Sequence, residues 1–175
     1  MLDYWKFDDQ RSDEKLIVTT KRHPIFFAKA FIINIAIIII VTAIILLIRD
    51  NLISLIAIIS GLAIIFLVCY YYLYLWYNDV YVLTDERIID VDQAGIFNRM
   101  VAETALDQIQ EVKIEVKGPL ESIFGFGKIV IQTAGPSENL VLELVPKPFI
   151  AQHAINNAMY EYRKKVGLDK EEERI

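Results

Sequence analysis

The sequence is poor in cysteine, glycine, proline and basic residues. One cysteine, Cys69, among 175 residues excludes an intrachain disulfide framework and a multi-cysteine zinc site. Seven glycines and five prolines exclude a collagenous chain and a proline-rich disordered chain. The 18 Lys and Arg are outnumbered by 23 Asp and Glu, and the formal net charge is −5. That balance gives no electrostatic reason to expect a nucleic-acid partner.

Apolar residues, by contrast, are abundant and unevenly distributed. They make up 55% of the chain and raise its mean hydropathy to +0.38. Residues 25–48 contain one charge, Lys29, and residues 52–77 contain none. Because about 20 apolar residues cross a hydrocarbon core of about 30 Å, both segments are predicted to be transmembrane helices. The alternative is a pair of buried core helices, which are seldom this long and apolar on every face.

Only residues 49–51 separate the two segments, so the helices are predicted to form a tight antiparallel hairpin. The first apolar run is longer than the h-region of a signal peptide and lacks a small-residue cleavage site, which indicates that it is retained. Four basic residues flank it on the N-terminal side: Lys15, Lys21, Arg22 and Lys29. The turn carries only Arg49. The positive-inside rule then predicts a protein of the cytoplasmic (inner) membrane with both termini in the cytoplasm.

Aromatic residues are concentrated where the second predicted helix ends and the first begins. At the level of the lipid headgroups such a ring keeps one part apolar and one part in contact with water. We therefore predict a membrane-interface belt formed by Phe26, Phe27, Tyr70, Tyr71, Tyr74, Trp76 and Tyr77. A ligand cage is the alternative interpretation, but a belt accounts for the rings without a ligand.

The polar side chains inside the two spans, Asn34, Thr42, Ser54 and Ser60, are not ionisable. Ion and proton pathways usually need buried ionisable groups, so the hairpin alone is a poor channel or transporter. Ala57 and Gly61 are four residues apart, which predicts a close helix contact either within the hairpin or between protomers.

After residue 77 the sequence changes to short β-branched runs separated by turns. Residues 79–84 and 87–93 predict a β-hairpin, and the alternation over 109–117 predicts a half-buried strand. An amphipathic helix follows Pro148. The predicted division is a cytosolic N-terminal segment (1–24), transmembrane helices (25–48 and 52–77), an α+β domain (78–166, with strands in 78–145 and a helix in 148–165) and a charged tail (167–175).

An ordered set of motifs runs through this region: Arg22-His-Pro24, Tyr81-Val-Leu-Thr-Asp-Glu-Arg-Ile-Ile89, Gly95, Leu106-x-x-Ile109-x-x-Val112 and Phe124-Gly-Phe-Gly127. With these motifs, residues 15–160 resemble the bacterial pleckstrin-homology-like, membrane-flanked domain family, a domain of unknown function. The resemblance implies a bent antiparallel β sandwich or partial barrel with a C-terminal capping helix. It brings no catalytic residues.

No motif for chemistry accompanies these patterns. Gly125-Phe-Gly127 lacks the strand–loop–helix context of a dinucleotide site. His23 and His153 have no second His or Cys nearby in sequence to complete a metal site. Asp90 and Asp92 share one face of a strand and are interpreted as solvated carboxylates, with a metal or acid/base pair as the alternative. We expect no enzyme, no metal and no cofactor.

The expected function is a non-enzymatic integral membrane protein that presents an interaction module at the cytoplasmic face. Its expected partners are the lipid bilayer and a protein, a peptide or a second copy of the chain. Residues 78–175 carry 11 basic and 17 acidic residues, so anionic lipid headgroups would repel the domain as a whole. Two alternatives are a lipid or small-molecule binder using the aromatic belt and the mouth of the sheet, and an accessory subunit of a larger membrane transport complex.

Overall fold

The computed structural model describes residues 14–48, 50–134 and 139–172, and side chains as far as residue 167. Its helices are α1 (Ala28–Ile48), α2 (Asn51–Asn78), α3 (Gly118–Phe124) and α4 (Pro148–Glu172), with short 3-10 turns at Pro24–Phe27 and Leu106–Gln108. Its strands are β1 (Leu16–Thr20), β2 (Val80–Thr84), β3 (Arg87–Gln93), β4 (Arg99–Ala105), β5 (Ile109–Glu115), β6 (Phe126–Thr133) and β7 (Leu140–Pro146).

The two predicted apolar segments form α1 and α2, each long and apolar enough to span a membrane. The Asp50 side chain caps α2 by accepting a hydrogen bond from the Ile53 N–H at 2.9 Å. Four residues of the pair are buried: Ala30, Ala57, Gly61 and Leu75. Because the other described side chains of α1 and α2 keep contact with the surroundings, a pair of buried core helices is not what forms, and the exposed apolar surface suggests association with a membrane.

Small residues hold the two helices close together. A Cβ atom built on Gly61 would lie 2.7 Å from Cγ2 of Val41 on α1, which no real Cβ atom tolerates. Nearer the aromatic end of the pair, Asn34 Nδ2 lies 3.3 Å from Cys69 Sγ. The contact predicted from Ala57 and Gly61 is therefore made within the hairpin.

The helix pair is inserted between the first two strands of the domain. β1 precedes α1 in sequence, yet it pairs antiparallel with β2, which follows α2, and Thr20 lies opposite Tyr81. The N-terminal segment was predicted only as a flank, so this strand was missed. Its five residues are too few to show alternation, and their partner is some 60 positions away in the sequence.

Two antiparallel sheets pack face to face and confirm the α+β prediction. Their strand orders are β1-β2-β3-β4 and β5-β6-β7, and α4 covers one end of the sandwich. The core between the sheets and α4 contains Tyr81, Leu83, Ile88, Leu106, Ile109, Ile129, Ile131, Leu140, Leu142, Val145, Ile155, Ala158 and Met159.

Several element boundaries differ from the predicted ones. A short helix that was not predicted, α3, follows the predicted strand over 109–117 and begins at Gly118-Pro119, because proline is tolerated in the first turn of a helix. Gly125 ends it with φ at 68°, a conformation that favours glycine. α4 runs past the predicted end at residue 165 as far as Glu172. Residues 1–13, Arg49, residues 135–138 and residues 173–175 of the tail lie outside the described residues.

Candidate functional site

The segment between β1 and α1 fastens the entry of the hairpin to its exit. Trp76 Nε1, in the last turns of α2, donates a hydrogen bond to the Arg22 backbone oxygen at 2.7 Å. Lys21 Nζ donates to the Tyr77 backbone oxygen at 3.0 Å and lies 4.3 Å from the centre of the Tyr77 ring. Both ends of the helix pair therefore meet at one point, which we call the junction.

The Arg22 side chain connects this junction to the domain. Its Nη1 lies 3.1 Å from Asp79 Oδ2 and its Nη2 lies 3.2 Å from Asp92 Oδ1. Its Nε donates to the Tyr81 hydroxyl at 3.0 Å. Asp79 is 1% exposed, and its Oδ1 accepts a hydrogen bond of 2.6 Å from the Gln93 N–H. A single guanidinium thus binds the residue after α2 and the strands β2 and β3.

The network continues across the sandwich to the second sheet. The Tyr81 hydroxyl donates to the Glu143 backbone oxygen on β7 at 2.7 Å. His23 also contacts the second sheet. Its backbone N–H donates to the Leu144 backbone oxygen at 2.7 Å, and its ring stacks on the Phe126 ring with 5.0 Å between the ring centres. The junction therefore holds the hairpin to both sheets.

Burial shifts the pKa values of two junction residues, Asp79 and His23. It raises the pKa of Asp79, and the Gln93 N–H and the Arg22 charge oppose that rise. It lowers the pKa of His23, whose Nδ1 accepts a hydrogen bond from the Ile25 N–H. A neutral His23 therefore caps the first turn of the hairpin, which is a structural use of the histidine rather than a metal site.

The predicted aromatic residues lie at the junction end of the hairpin. The Phe26 and Phe27 rings are 5.7 Å from the Tyr72 ring and 5.6 Å from the Trp76 ring, respectively, which brings the two helices' rings to one level. Three of the others are exposed, namely Tyr70, Tyr71 and Tyr77, and Tyr74 is half-buried. Their role at a membrane interface stays a prediction.

Asp90 and Asp92 line a groove. The interpretation of Asp90 as a solvated carboxylate is wrong, because its Oδ1 is buried, whereas the Asp92 side chain is 34% exposed and pairs with Arg22. The groove lies between β4 and β7, has a volume of about 550 Å³, and is lined also by Arg22, Met100 and Glu143. Asp90 Oδ1 is buried and has no hydrogen-bond partner. Burial raises the pKa of Asp90 to about 6, with the Arg22 charge opposing the rise. No metal-binding group of three acidic, His or Cys residues occurs in the described part of the chain.

A second groove runs between the edge strand β1 and helix α4. Ile17, Tyr162 and Lys165 line its outer part, which has a volume of about 480 Å³. Its inner end is apolar and is lined by β1, the core and the first half of α4. β1 is the end strand of its sheet, so its outer edge faces this groove.

The comparison with protein families is decisive. The bacterial PH domain model matches residues 24–154, from the start of the hairpin into α4. The chain belongs to the bacterial PH domain family. The resemblance found in the sequence motifs is therefore confirmed, and the two sheets with their capping helix form the PH domain.

Two solved structures resemble parts of this PH domain protein. A Shewanella loihica protein with a pleckstrin-homology domain has 21% sequence identity and a TM-score of 0.38, over 46% of this chain and 70% of that one. A pleckstrin homology domain from Shewanella amazonensis has 21% identity and a TM-score of 0.35, over 43% of this chain and 63% of that one. Comparison with the curated proteins gives no match.

Sequence reasoning located the junction motif but not its partners. Arg22 was noted for its charge and for the Arg-His-Pro motif, whereas Asp79, Tyr81 and Gln93 were not identified as members of one network with it. The available signal was a basic residue directly before the first span and an acidic residue directly after the second. A hairpin brings two such residues together, and the paired charges then stabilise each other in a dry environment.

Proposed function

We propose that the protein is a non-enzymatic integral membrane protein whose hairpin crosses the cytoplasmic membrane twice and holds the PH domain at the cytoplasmic surface. Both chain termini are then cytoplasmic. The domain acts there as an interaction module for a protein or peptide partner, or for a second copy of the chain.

The pairing of β1 with β2 carries the membrane part of the proposal. These strands lie on opposite sides of the hairpin in sequence, and their register from Leu16 opposite Thr84 to Thr20 opposite Tyr81 joins them along their length. A domain assembled in this way requires both ends of the hairpin on the same side of a bilayer. Lys21 and Arg22, directly before the first span, favour the cytoplasmic side.

Extraction of membranes at alkaline pH tests whether the protein is integral. Peripheral proteins are released by this treatment, whereas a helix pair with lipid on its outer faces stays in the pellet. We expect the full-length chain to remain with the membrane. Release of the chain into the supernatant would contradict the proposal.

The groove between β1 and α4 supports the interaction part. An extended peptide can add to an exposed sheet edge through main-chain hydrogen bonds, with neighbouring pockets receiving its side chains. β1 offers such an edge, with Ile17 45% exposed, and apolar pockets adjoin it. Lys165 Nζ, 3.9 Å from Asp85 Oδ2, bounds the groove at its far end.

Site-specific photocrosslinking in intact membranes tests this interaction. A photoreactive residue at Ile17 is expected to give a crosslinked product that contains a second polypeptide, identified by mass spectrometry. The same residue at Lys113, exposed on β5 of the other sheet, is the matched control and is expected to give none. Equal yields at both positions, or a product within a single chain only, would contradict a partner on β1.

A small-molecule site in the groove between β4 and β7 is the second candidate. Its volume of about 550 Å³ falls in the range of small-molecule pockets, about 300–1,000 Å³. The unpartnered Asp90 Oδ1 is the observation that favours it, because a buried acceptor normally has a donor. Native mass spectrometry of the gently solubilised protein should then show a retained small molecule that the Asp90→Asn variant loses.

A further inference from the structure

The exposed apolar side chains of the PH domain are concentrated at the end that faces the hairpin. On α3, Leu120, Ile123 and Phe124 are 60%, 76% and 53% exposed. Residues three and four positions apart share one face of a helix, so these three form an unpartnered apolar stripe. Contiguous exposed apolar surface of this kind marks a contact with another molecule or with lipid.

Contacts with the junction place α3 beside the entry of the hairpin. Phe126, two residues after the end of α3, stacks on the His23 ring at 5.0 Å. His23 directly precedes Pro24, where the first helical turn begins. Since consecutive Cα atoms are 3.8 Å apart, Phe124 lies within about 8 Å of Phe126 along the chain.

The start of α4 extends this apolar stripe. The Lys147 N–H donates to the Gly125 backbone oxygen at 2.9 Å, which brings the beginning of α4 against the end of α3. Phe149 and Ile150 follow, each 64% exposed. We call these side chains together with the stripe on α3 the first ridge.

A second ridge lies at the exit of the hairpin. The Gln93 N–H, at the end of β3, binds Asp79 Oδ1, and Asp79 is the first residue after α2. The chain then continues into the loop before β4, where Ile96 and Phe97 are 55% and 95% exposed. This loop is therefore level with the end of α2.

The opposite end of the domain lacks such ridges among the residues whose side chains are described. α4 runs away from the first ridge towards the β2–β3 turn, where Lys165 meets Asp85. Outside the two ridges, the exposed large apolar side chains described for the domain are those of Leu16, Ile17, Val18, Met100, Val101, Val116 and Tyr160. The asymmetry matches a domain with one face towards lipid.

We propose that the two ridges insert into the headgroup layer of the membrane on either side of the hairpin, so that the PH domain is seated on the bilayer. The inference rests on the proposed function and adds lipid as a direct ligand of the domain. The ridges adjoin the junction through His23 and Asp79, at the same end of the hairpin as the Phe27 and Trp76 rings, and this shared level favours lipid over another protein as the occupant. Because the domain is acidic as a whole, the contact is apolar rather than specific for anionic headgroups.

Fluorescence quenching in proteoliposomes of phosphatidylethanolamine and phosphatidylglycerol tests the inference on the full-length chain. Single cysteines replace Ile123 and Phe97 in a Cys69→Ser background and carry an environment-sensitive fluorophore. Lipids with a nitroxide at headgroup depth serve as the quencher. Tyr160→Cys is the matched control, because Tyr160 is exposed but lies about 18 Å along α4 from Pro148. Ile59→Cys, on an exposed face of α2, reports on the hairpin.

We expect lipid-borne quencher to lower the emission of the labels at 123 and 97 several-fold and to leave the label at 160 unchanged. A second set of lipids, with the nitroxide on the acyl chain, reports on the label at 59. If that label is quenched while the label at 123 or 97 is not, the inference is overturned and the hairpin stays supported. An unquenched label at 59 would instead overturn the proposed function. A blue shift at 123 and 97 without quenching by lipid would point to a protein contact and would also overturn the inference.

Discussion

Replacement of Arg22 by methionine should detach the PH domain from its hairpin. The variant keeps most of the aliphatic volume and removes the guanidinium that binds Asp79, Asp92 and Tyr81. Asp79, 1% exposed, would retain only the Gln93 N–H as a partner among the contacts that define the junction. A buried carboxylate without its cation is then the main consequence.

The expected loss follows from burial. Removing one partner of a buried ion pair costs about 3–5 kcal/mol, whereas the pair with Asp92, whose side chain is 34% exposed, adds at most about 1 kcal/mol. Burial already raises the pKa of Asp79, so the orphaned carboxyl can take up a proton, which limits the loss. We expect the free energy of unfolding to fall by about 3 kcal/mol, a large share of the roughly 5–15 kcal/mol typical of a domain.

The assay combines guanidinium unfolding in mild detergent with spin-label distances between Leu67 on α2 and Asn157 on α4. Arg87→Met is the matched control, because Arg87 forms an equally buried pair with Glu14, at the other end of the sheet. Both variants should lose stability, but only Arg22→Met should broaden the distance distribution. The double variant Arg22→Met/Asp79→Asn should recover at least about 1 kcal/mol, since no buried charge is left unpaired. A loss below about 1 kcal/mol for Arg22→Met, or a double variant less stable than it, would refute this reasoning.

Three further predictions concern the groove, the hairpin and the link between the sheets. Burial raises the pKa of Asp90 from 3.8 to about 6. Between these two pH values the native carboxyl keeps a proton that the unfolded chain has lost, so the free energy of unfolding falls as the pH rises through this range. Asp90→Asn should therefore be more stable than the parent above pH 7 by about 1–2 kcal/mol after allowance for partial exposure, and equally stable near pH 4. A difference in the free energy of unfolding that does not change with pH would contradict this prediction. Gly61→Ala should weaken the hairpin by about 1–3 kcal/mol, measured by thermal denaturation in detergent, and Val41→Ala should relieve the clash; a stable single variant would be inconsistent with the close contact. Tyr81→Phe should cost about 1–2 kcal/mol because the bond to the Glu143 backbone oxygen is lost, and an unchanged melting temperature would contradict that bond.

The apolar spans and the period-two strands could be predicted because their signals are local. The spans over 25–48 and 52–77 correspond to α1 and α2, and the alternation around Val112 and Ile114 corresponds to β5. Each of these elements is specified by the residues within it, through hydrophobicity and period. The C-terminal helix was predictable for the same reason.

The junction and β1 could not be predicted because their partners are distant in sequence. β1 is a strand only through its pairing with β2, on the far side of the hairpin. Arg22 is buried only because Asp79 and Tyr81 surround it. Asp90 is a similar case. The alternation of its strand predicted an outward-facing side chain, but residues of β7, distant in sequence, form another wall of the groove that Asp90 lines.

Cysteine labelling in intact cells tests most directly the claim that a membrane hairpin is inserted between two paired strands. In a Cys69→Ser background, a membrane-impermeant maleimide should label Asn51→Cys at the turn between α1 and α2 from outside. Lys15→Cys, just before β1, and Asn157→Cys, on α4, should react only after the inner membrane is permeabilised. Labelling of positions 15 and 157 from opposite sides would contradict the account, because β1 and β2 could not then pair.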